Sequence, residues 1–491
     1  MSGNGEVLNQ PPPLEDYDAF TSDAALIDGV RREGAGWAEE SLSQLGARAG
    51  SAEAIAWGFE ANQNPPSLRT YDRFGGRLDR VDYHPSYHRL MEVAVAEGLH
   101  ASPPPGSREG VHVARAAGFY LWSQVDAGHG CPISMTYSVV PALRAADAGG
   151  AVVGEWAPRL TSRQYDPSYV PAAAKRGALA GMGMTEKQGG SDVRANITRA
   201  VPSALEGEAT YRLTGHKWFC SAPMSDVFLM LAQAPGGLSC FVVPRFGPDG
   251  EPNGLRFQRL KDKLGNRSNA SGEVELDAAW GRLLGDEGRG VATIIEMVNH
   301  TRLDCAIGAA SGMRQAVAQA THHAAHRAAF GAALTDQPLM RAVLADLAIE
   351  SEAATITMLR LAGAFDRAAG GDPSEKAFCR LATALGKYWL CKRHPVVAAE
   401  ALECLGGNGY VEESILPRLF RESPLNGIWE GSGNVICLDV LRAMGRSTES
   451  VEVFFAELDR SGGGDRRLDA AVRRLRRQLA DTNAVEFRAR R

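Results

Sequence analysis

The stretch GIWEGSGN, residues 427 to 434, sets one carboxylate, Glu430, between an indole and a run of small residues. Glycines let a backbone come close to a planar or charged group. An acid held there either answers a helix start or abstracts a proton. Two other stretches carry side chains that could serve the same chemistry. GMGMTEKQGGSD, Gly181 to Asp192, brackets a glycine pair with the hydroxyls of Thr185 and Ser191. Small residues with free backbone N–H groups suit a phosphate or an electron-rich ring edge. The stretch is neither a P-loop nor a GxGxxG opening a helix, and its glycines alone weigh a tight turn evenly against a ligand loop. GHKWFCS, Gly215 to Ser221, sets Trp218 and Phe219 just before a cysteine and a hydroxyl. Those residues could flank a flat ring and bond its edge, although in isolation they read first as strand core.

These groups need elements to hold them. From Ala24 to about Leu179 the pattern is mostly helical: YHRLMEVAVAEGLH and GVHVARAAGFYLWSQVDAG repeat apolar residues at spacings of three and four, and ASPPPGSREG interrupts them. The texture changes near Met182. TYRLTGHKWFCSA, DVFLMLAQ, LSCFVVPRF, LRFQRL and GEVELDAAW are short β-branched and aromatic runs divided by turn signals, which predicts an antiparallel sheet or small barrel. From Gly288 long alanine-rich periodic segments return, with Gly406 and Gly407 as a helix C-cap, and long helices with short connections imply a bundle. The fold class is therefore mainly α with a central β domain. The division is 1–20 flexible lead-in, 21–179 N-terminal helical domain, 180–285 β domain, 286–445 C-terminal helical bundle carrying Glu430, and 446–491 basic helical extension. In that extension Leu468, Val472, Leu475 and Leu479 share one helical face, and Arg466, Arg467, Arg473, Arg474, Arg476 and Arg477 occupy much of the remainder. This is either a solvated helix or a phosphate-binding one.

Composition narrows the classes. The chain of 491 residues has a net charge of -5, so it is not basic throughout. Its eight cysteines are scattered without a CxxC, which points to reduced thiols and a cytoplasmic setting. The start is acidic and proline-rich and does not read as a signal peptide. No apolar run reaches the ~18 residues of a membrane span. His322, His323 and His326 lack the cysteine or carboxylate partners of a metal site, so no metal is expected. DAGHGCP, Asp126 to Pro132, reads as a helix-ending turn facing an active-site channel.

The motifs MTEKQGGSD, GHKWFCS, RAAFG, LGGNGY and IWEGSGN, in that order, resemble the acyl-CoA dehydrogenase flavoprotein family over roughly residues 50 to 445. The forms TEKQGGSD, GHKWF, KDKLGNRSNAS and LPRLFRESPLNGIWEGSGN resemble its AidB-like (alkylation-response) branch. The resemblance implies an N-terminal helical domain, a β-barrel or sheet domain, a C-terminal helical bundle, and FAD. It implies that Met182, Met184 and Thr185 line the flavin, that Gly190 and Ser191 meet the pyrophosphate, and that Trp218, Phe219 and Ser221 sit by the isoalloxazine. Arg327, Phe330 and Gln337 would reach the FAD of a neighbouring subunit in a homotetramer, and Gly406 and Gly407 would let the cofactor approach. Glu403 stands where the family has glutamine. Ile428, Trp429, Gly431, Ser432 and Asn434 would complete the FAD contacts. Glu430 would be the α-proton base, because Thr301, at the position some relatives use instead, cannot serve; Arg442 would stand near the active site. The branch further implies sequence-tolerant duplex DNA binding through the basic extension, with weak acyl-CoA α,β-dehydrogenation. A fully active acyl-CoA dehydrogenase or oxidase is the alternative, and a purely structural flavoprotein the third reading.

Overall fold

The computed structural model describes residues 8–203, 209–480 and 485–490. The parts of the lead-in, β domain and basic extension at 1–7, 204–208, 481–484 and 491 lie outside the described residues. Helices α1 (Ala24–Arg32), α2 (Glu39–Ala49) and α3 (Ala52–Gln63) come first. A hairpin of β1 (Ser67–Tyr71) and β2 (Arg77–Asp82) follows, then α4 (Pro85–Ala96), α5 (Val111–Ser123), α6 (Gly130–Ala146) and α7 (Ala151–Leu160). The hairpin interrupts the helical run expected there. Its turn residues, Gly75 and Gly76, sit in a polar stretch that gives little strand signal. It leans on the barrel, with the Asp79 carboxylate accepting the Phe257 N–H at 2.9 Å.

The β domain comprises β3 (Ala180–Gly183), β4 (Arg199–Pro202), β5 (Thr210–Ser221), β6 (Val227–Ala234), β7 (Gly237–Pro244), β8 (Leu255–Leu260) and β9 (Ser271–Leu284). The ladder β6–β4–β5–β9–β7 closes because β6 also pairs with β7. Closure leaves no edge within that ring. β3 joins β6 in parallel, and β8 joins β9. The register of β5 on β9 shifts between Lys217 and Cys220, so Trp218 and Phe219 fall in an irregular step, where a bulge re-aims side chains.

The C-terminal bundle is built from α8 (Gly290–His326), α9 (Pro338–Ala369) and α10 (Pro373–Cys404), with a small hairpin of β10 (Ala328–Ala329) and β11 (Ala332–Ala333) between the first two. α10 is capped by Asp372, whose carboxylate accepts the N–H groups of Ser374 and Glu375, with Pro373 in the first turn. The short α11 (Gly407–Tyr410) and α12 (Leu416–Glu422) precede α13 (Gly433–Arg446), α14 (Thr448–Asp459), α15 (Arg466–Ala480) and α16 (Val485–Arg488). One apolar core joins α1–α5 to α8, α9 and α10, a second lies between α6, α7, the sheet and the start of α8, and a third fills the barrel.

Two segments depart from the sequence reading. Residues 8–20 are not a loose lead-in. Asn9 brackets Ala328, donating to its carbonyl and accepting its N–H at 2.8 Å each, and it also takes Arg327 on its own carbonyl. Tyr17 donates to Gln315 at 3.1 Å. Such docking through polar groups has no periodicity to reveal it. The expected basic extension likewise begins with a helix that is not basic: α14 carries Glu449, Glu452, Glu457 and Asp459 and packs on α10, with Phe454 stacked near Phe378. The basic character starts only at α15, none of whose residues is buried.

Candidate active site

Residue 430 follows the short turn Leu425–Gly427, and its backbone is left-handed at φ 55, with Gly431 at φ 101. A non-glycine residue in that region costs ~1–3 kcal/mol and persists only where its surroundings impose it. Two buried cations impose it here. Lys387 on α10 donates to the carbonyls of Trp429 (2.8 Å) and Gly431 (2.5 Å), and Arg302 on α8 donates to the carbonyl of Glu430 itself at 3.1 Å. Arg302 is held in turn by Asp439, 2.6 Å away, which also takes Arg380. With three successive carbonyls pinned to the bundle, the Glu430 side chain goes to a cavity between α5, α6, α8, α10 and α12. Its Oε2 accepts the Thr301 hydroxyl at 2.6 Å. Burial pushes the carboxyl above its ordinary range; the Thr301 bond and the charges of Lys387 and Arg302 pull it back only in part. Thr301, set aside as a base, thus touches the acid.

The two hydroxyl motifs lie against each other on the β domain. Loop 184–192 folds so tightly that a Cβ on Gly190 would lie 2.5 Å from the Thr185 hydroxyl. The Trp218 N–H donates to the Thr185 carbonyl at 2.9 Å, which binds the loop to β5. Below that bond lies a fully buried ion pair: Lys217 Nζ and Glu186 Oε1 are 2.9 Å apart. Burial works against charge on Glu186, but Lys217 and the N–H groups of Ile197 and Thr198 outweigh it and hold the carboxyl at about 2. Trp218 is partly buried, Phe219 is 49% exposed, and Lys261 stands 3.6 Å over the Trp218 ring. Met182, Met184 and Trp429 pack on the same core cluster, which brings the two walls together. Cys131, in the cavity wall, has both the Ser221 hydroxyl and Glu430 acting on its thiol, and burial raises that thiol to about 11.

The remaining expected contacts lie further out. Phe330 caps the β10–β11 hairpin at φ 52 and is 100% exposed. Gln337 donates to the Ala329 carbonyl at 3.0 Å, steadying that hairpin beside Arg327. Gly406 and Gly407 are exposed, with nothing within 4 Å of where a Cβ would stand. Ile428 is exposed, Ser432 is partly exposed just before α13, and Asn434 is exposed in its first turn. Gly190 and Ser191 are exposed on the loop. Arg442, expected beside the acid, is absent from the cavity wall. The buried face of α13 carries Ile436, Cys437, Asp439 and Ala443, which leaves residue 442 outward. All six α15 arginines are exposed; Arg476 pairs with Asp459 at 2.5 Å and Arg467 lies 3.7 Å from Asp465. Among the described residues no His, Cys and carboxylate group is placed to hold a metal ion, and no helix is long and apolar enough to cross a membrane. His322 instead bonds the Pro12 carbonyl.

Sequence reasoning missed Arg302, Lys387 and the Glu186–Lys217 pair. The alternation of β5 offered one signal, since Lys217 falls on the inward side of the strand with Leu213.

A part-buried Trp218 beside an exposed Phe219, two hydroxyls, backbone N–H groups on a tight loop and open glycines fit a flavin dinucleotide. A cavity-lining acid whose neighbour Trp429 shares a core cluster with Met182 and Met184, on a helix–barrel–helix frame, is an arrangement suited to a flavin-dependent dehydrogenase. The chain belongs to the acyl-CoA dehydrogenase family, whose members are FAD-binding oxidoreductases. Residues 181–279 match its middle domain and residues 288–445 its C-terminal domain, while residues 9–167 match the adaptive response protein AidB N-terminal domain. AidB of Escherichia coli (strain K12) is 50% identical over 474 residues, 96% of this chain and 86% of that protein. Acyl-CoA dehydrogenase family member 11 of Caenorhabditis elegans is 33% identical over 421 residues, 82% of this chain and 66% of that protein. Among solved structures, Caenorhabditis elegans ACDH-11 in complex with C11-CoA has a TM-score of 0.90 at 28% identity, covering 100% of this chain and 87% of that one. Butyryl-CoA dehydrogenase from Megasphaera elsdenii shares the fold at a TM-score of 0.65 and 19% identity, covering 86% and 98%.

Proposed function

We propose that the chain oxidises an acyl thioester at adjacent carbons, with Glu430 removing the α-proton. The observation that carries this is the seat of Glu430: a carboxyl of raised pKa, aimed into a cavity by a backbone that two cations hold in place. Bound FAD supplies the acceptor for the hydride that leaves the β-carbon. The chain's residues do the rest. Cys131, Met135 and Trp429 line the cavity beside the acid, and burial lifts its basicity towards that of the thioester α-proton. The Thr301 hydroxyl orients the carboxylate. The nematode relative, solved with an acyl-CoA, supports a CoA thioester as substrate.

In this reading Met182, Met184, Thr185, Trp218, Phe219 and Ser221 hold the isoalloxazine, and Gly190 and Ser191 the pyrophosphate. Ile428, Trp429, Gly431, Ser432 and Asn434 hold the same cofactor from the bundle. Gly406 and Gly407 let the cofactor approach, and Arg327, Phe330 and Gln337 serve a neighbouring subunit's FAD in a homotetramer, for which the bare phenyl ring of Phe330 is the support. The free cysteines suit the cytoplasm. The test is anaerobic bleaching of the flavin by a panel of acyl-CoAs. Glu430→Gln should slow it by about 10²–10⁴-fold, and an unchanged rate removes the base assignment. The wild-type rate separates a weak dehydrogenase from a fully active one.

A second reading concerns duplex DNA in an alkylation response, and the six exposed arginines of α15 favour it. Contacts through them would be to phosphates and tolerant of sequence.

A further inference from the structure

The cavity changes character away from Glu430. Beside the acid its wall is Cys131, Met135 and Trp429. Further along α8, Gly308 and Gly312 share one helical face, and each leaves room for a polar neighbour. A Cβ at 312 would lie 2.3 Å from Nε2 of His394, and one at 308 would lie 3.1 Å from Nδ2 of Asn426. From Thr301 to Gly312 is eleven residues of α8, about 16 Å at 1.5 Å per residue. Gln124 and Arg418 complete this end of the wall. Both ring nitrogens of His394, Nε2 of Gln124 and Nη1 of Arg418 are buried with no hydrogen-bond partner among the described residues. A buried polar group left unpaired costs ~1–3 kcal/mol, and several at one end of one cavity call for a partner. The neighbouring carboxylates are already engaged. Asp126 takes the Ser268 hydroxyl at 2.9 Å and the His129 N–H at 3.0 Å, and Glu422 takes the Asn266 N–H at 2.6 Å.

We propose that this far end recognises a medium-length acyl chain ending in a neutral oxygen acceptor, such as a ketone or carboxamide, in place of a plain alkyl end. The proposal rests on the thioester reading and refines its substrate class. Gln124 and Arg418 offer unused donors. Burial keeps His394 neutral, with a pKa of about 4, so one ring nitrogen donates and the other accepts. Arg418 already faces the carboxylates of Asp126 and Glu422, which would repel a carboxylate end.

The test uses FAD-loaded protein and two readouts. Non-oxidisable S-alkyl-CoA thioethers with a ketone at the penultimate carbon, over chain lengths spanning the cavity, are compared by calorimetry with plain thioethers of equal length. The matching acyl-CoAs are compared by anaerobic bleaching. At one chain length the oxo ligand should bind about tenfold more tightly than its plain counterpart, and that advantage should shrink in Gln124→Leu and in His394→Leu. Equal or tighter binding of the plain chain at every length overturns the proposal, as does a dicarboxylic chain binding best. If plain thioesters bleach the flavin and oxo chains gain nothing, the refinement fails and the dehydrogenase reading stands. If no thioether binds and no thioester bleaches, both fall.

Discussion

The hydrogen bond from Thr301 to Glu430 sets how far burial can raise the acid. A donor to a carboxylate favours its ionised form, so Thr301→Val should raise the Glu430 pKa further. The base works ionised, so its rate climbs as pH rises through that pKa. The acid limb of the bleaching rate should therefore move to higher pH in Thr301→Val, and a limb that stays put or moves down would separate the two side chains. Glu430 itself was legible, because glycines on one side and an indole on the other mark an unusual place for an acid. Its supports were not. Arg302 and Lys387 sit in alanine-rich helices, where a lone cation reads as a solvated side chain, and only the packing of α8 and α10 buries them against the carbonyls of 429–431.

Between elements, the Glu186–Lys217 pair does for the loop at 184–192 what Lys387 and Arg302 do for the acid. Lys217→Met would leave a buried carboxylate without its cation, a loss of ~3–5 kcal/mol. Glu186→Gln with Lys217→Met should recover much of it, as denaturant melts would read. A carboxyl depressed in the folded state contributes stability above its unfolded value and loses it as pH falls through its folded one. The contribution should therefore be complete above 4.5 and disappear towards about 2, with a shallower acid loss in the double variant. The barrel and the long helices were legible because periods of two and of three to four residues persist over whole elements. The β1–β2 hairpin was not, since its alternation is short and charged, with Arg77, Asp79 and Arg80 in one strand.

For the molecule as a whole, α15 is separable from the catalytic frame, since none of its residues is buried. A chain with the six α15 arginines changed to glutamine should bleach with thioesters like the unchanged one. If the second reading holds, it should lose retardation of duplex DNA, and the unchanged chain's affinity should fall steeply with salt. Retardation that survives these changes would end that role for α15. The other end of the chain is bound in differently. Asn9 ties down Ala328 and Arg327 beside the Phe330 hairpin, Pro12 takes His322, and Gln10 accepts from Asn408 next to Gly406 and Gly407. One short peptide thus laces together the hairpin proposed to reach a neighbouring protomer's cofactor and the glycine turn proposed to let FAD approach. Clipping the polypeptide after Pro12 should loosen FAD in the adjacent copy while its own Glu430 keeps its seat. Mixing clipped and intact chains, one of them inactivated by Glu430→Gln, would show the defect crossing from one to the other.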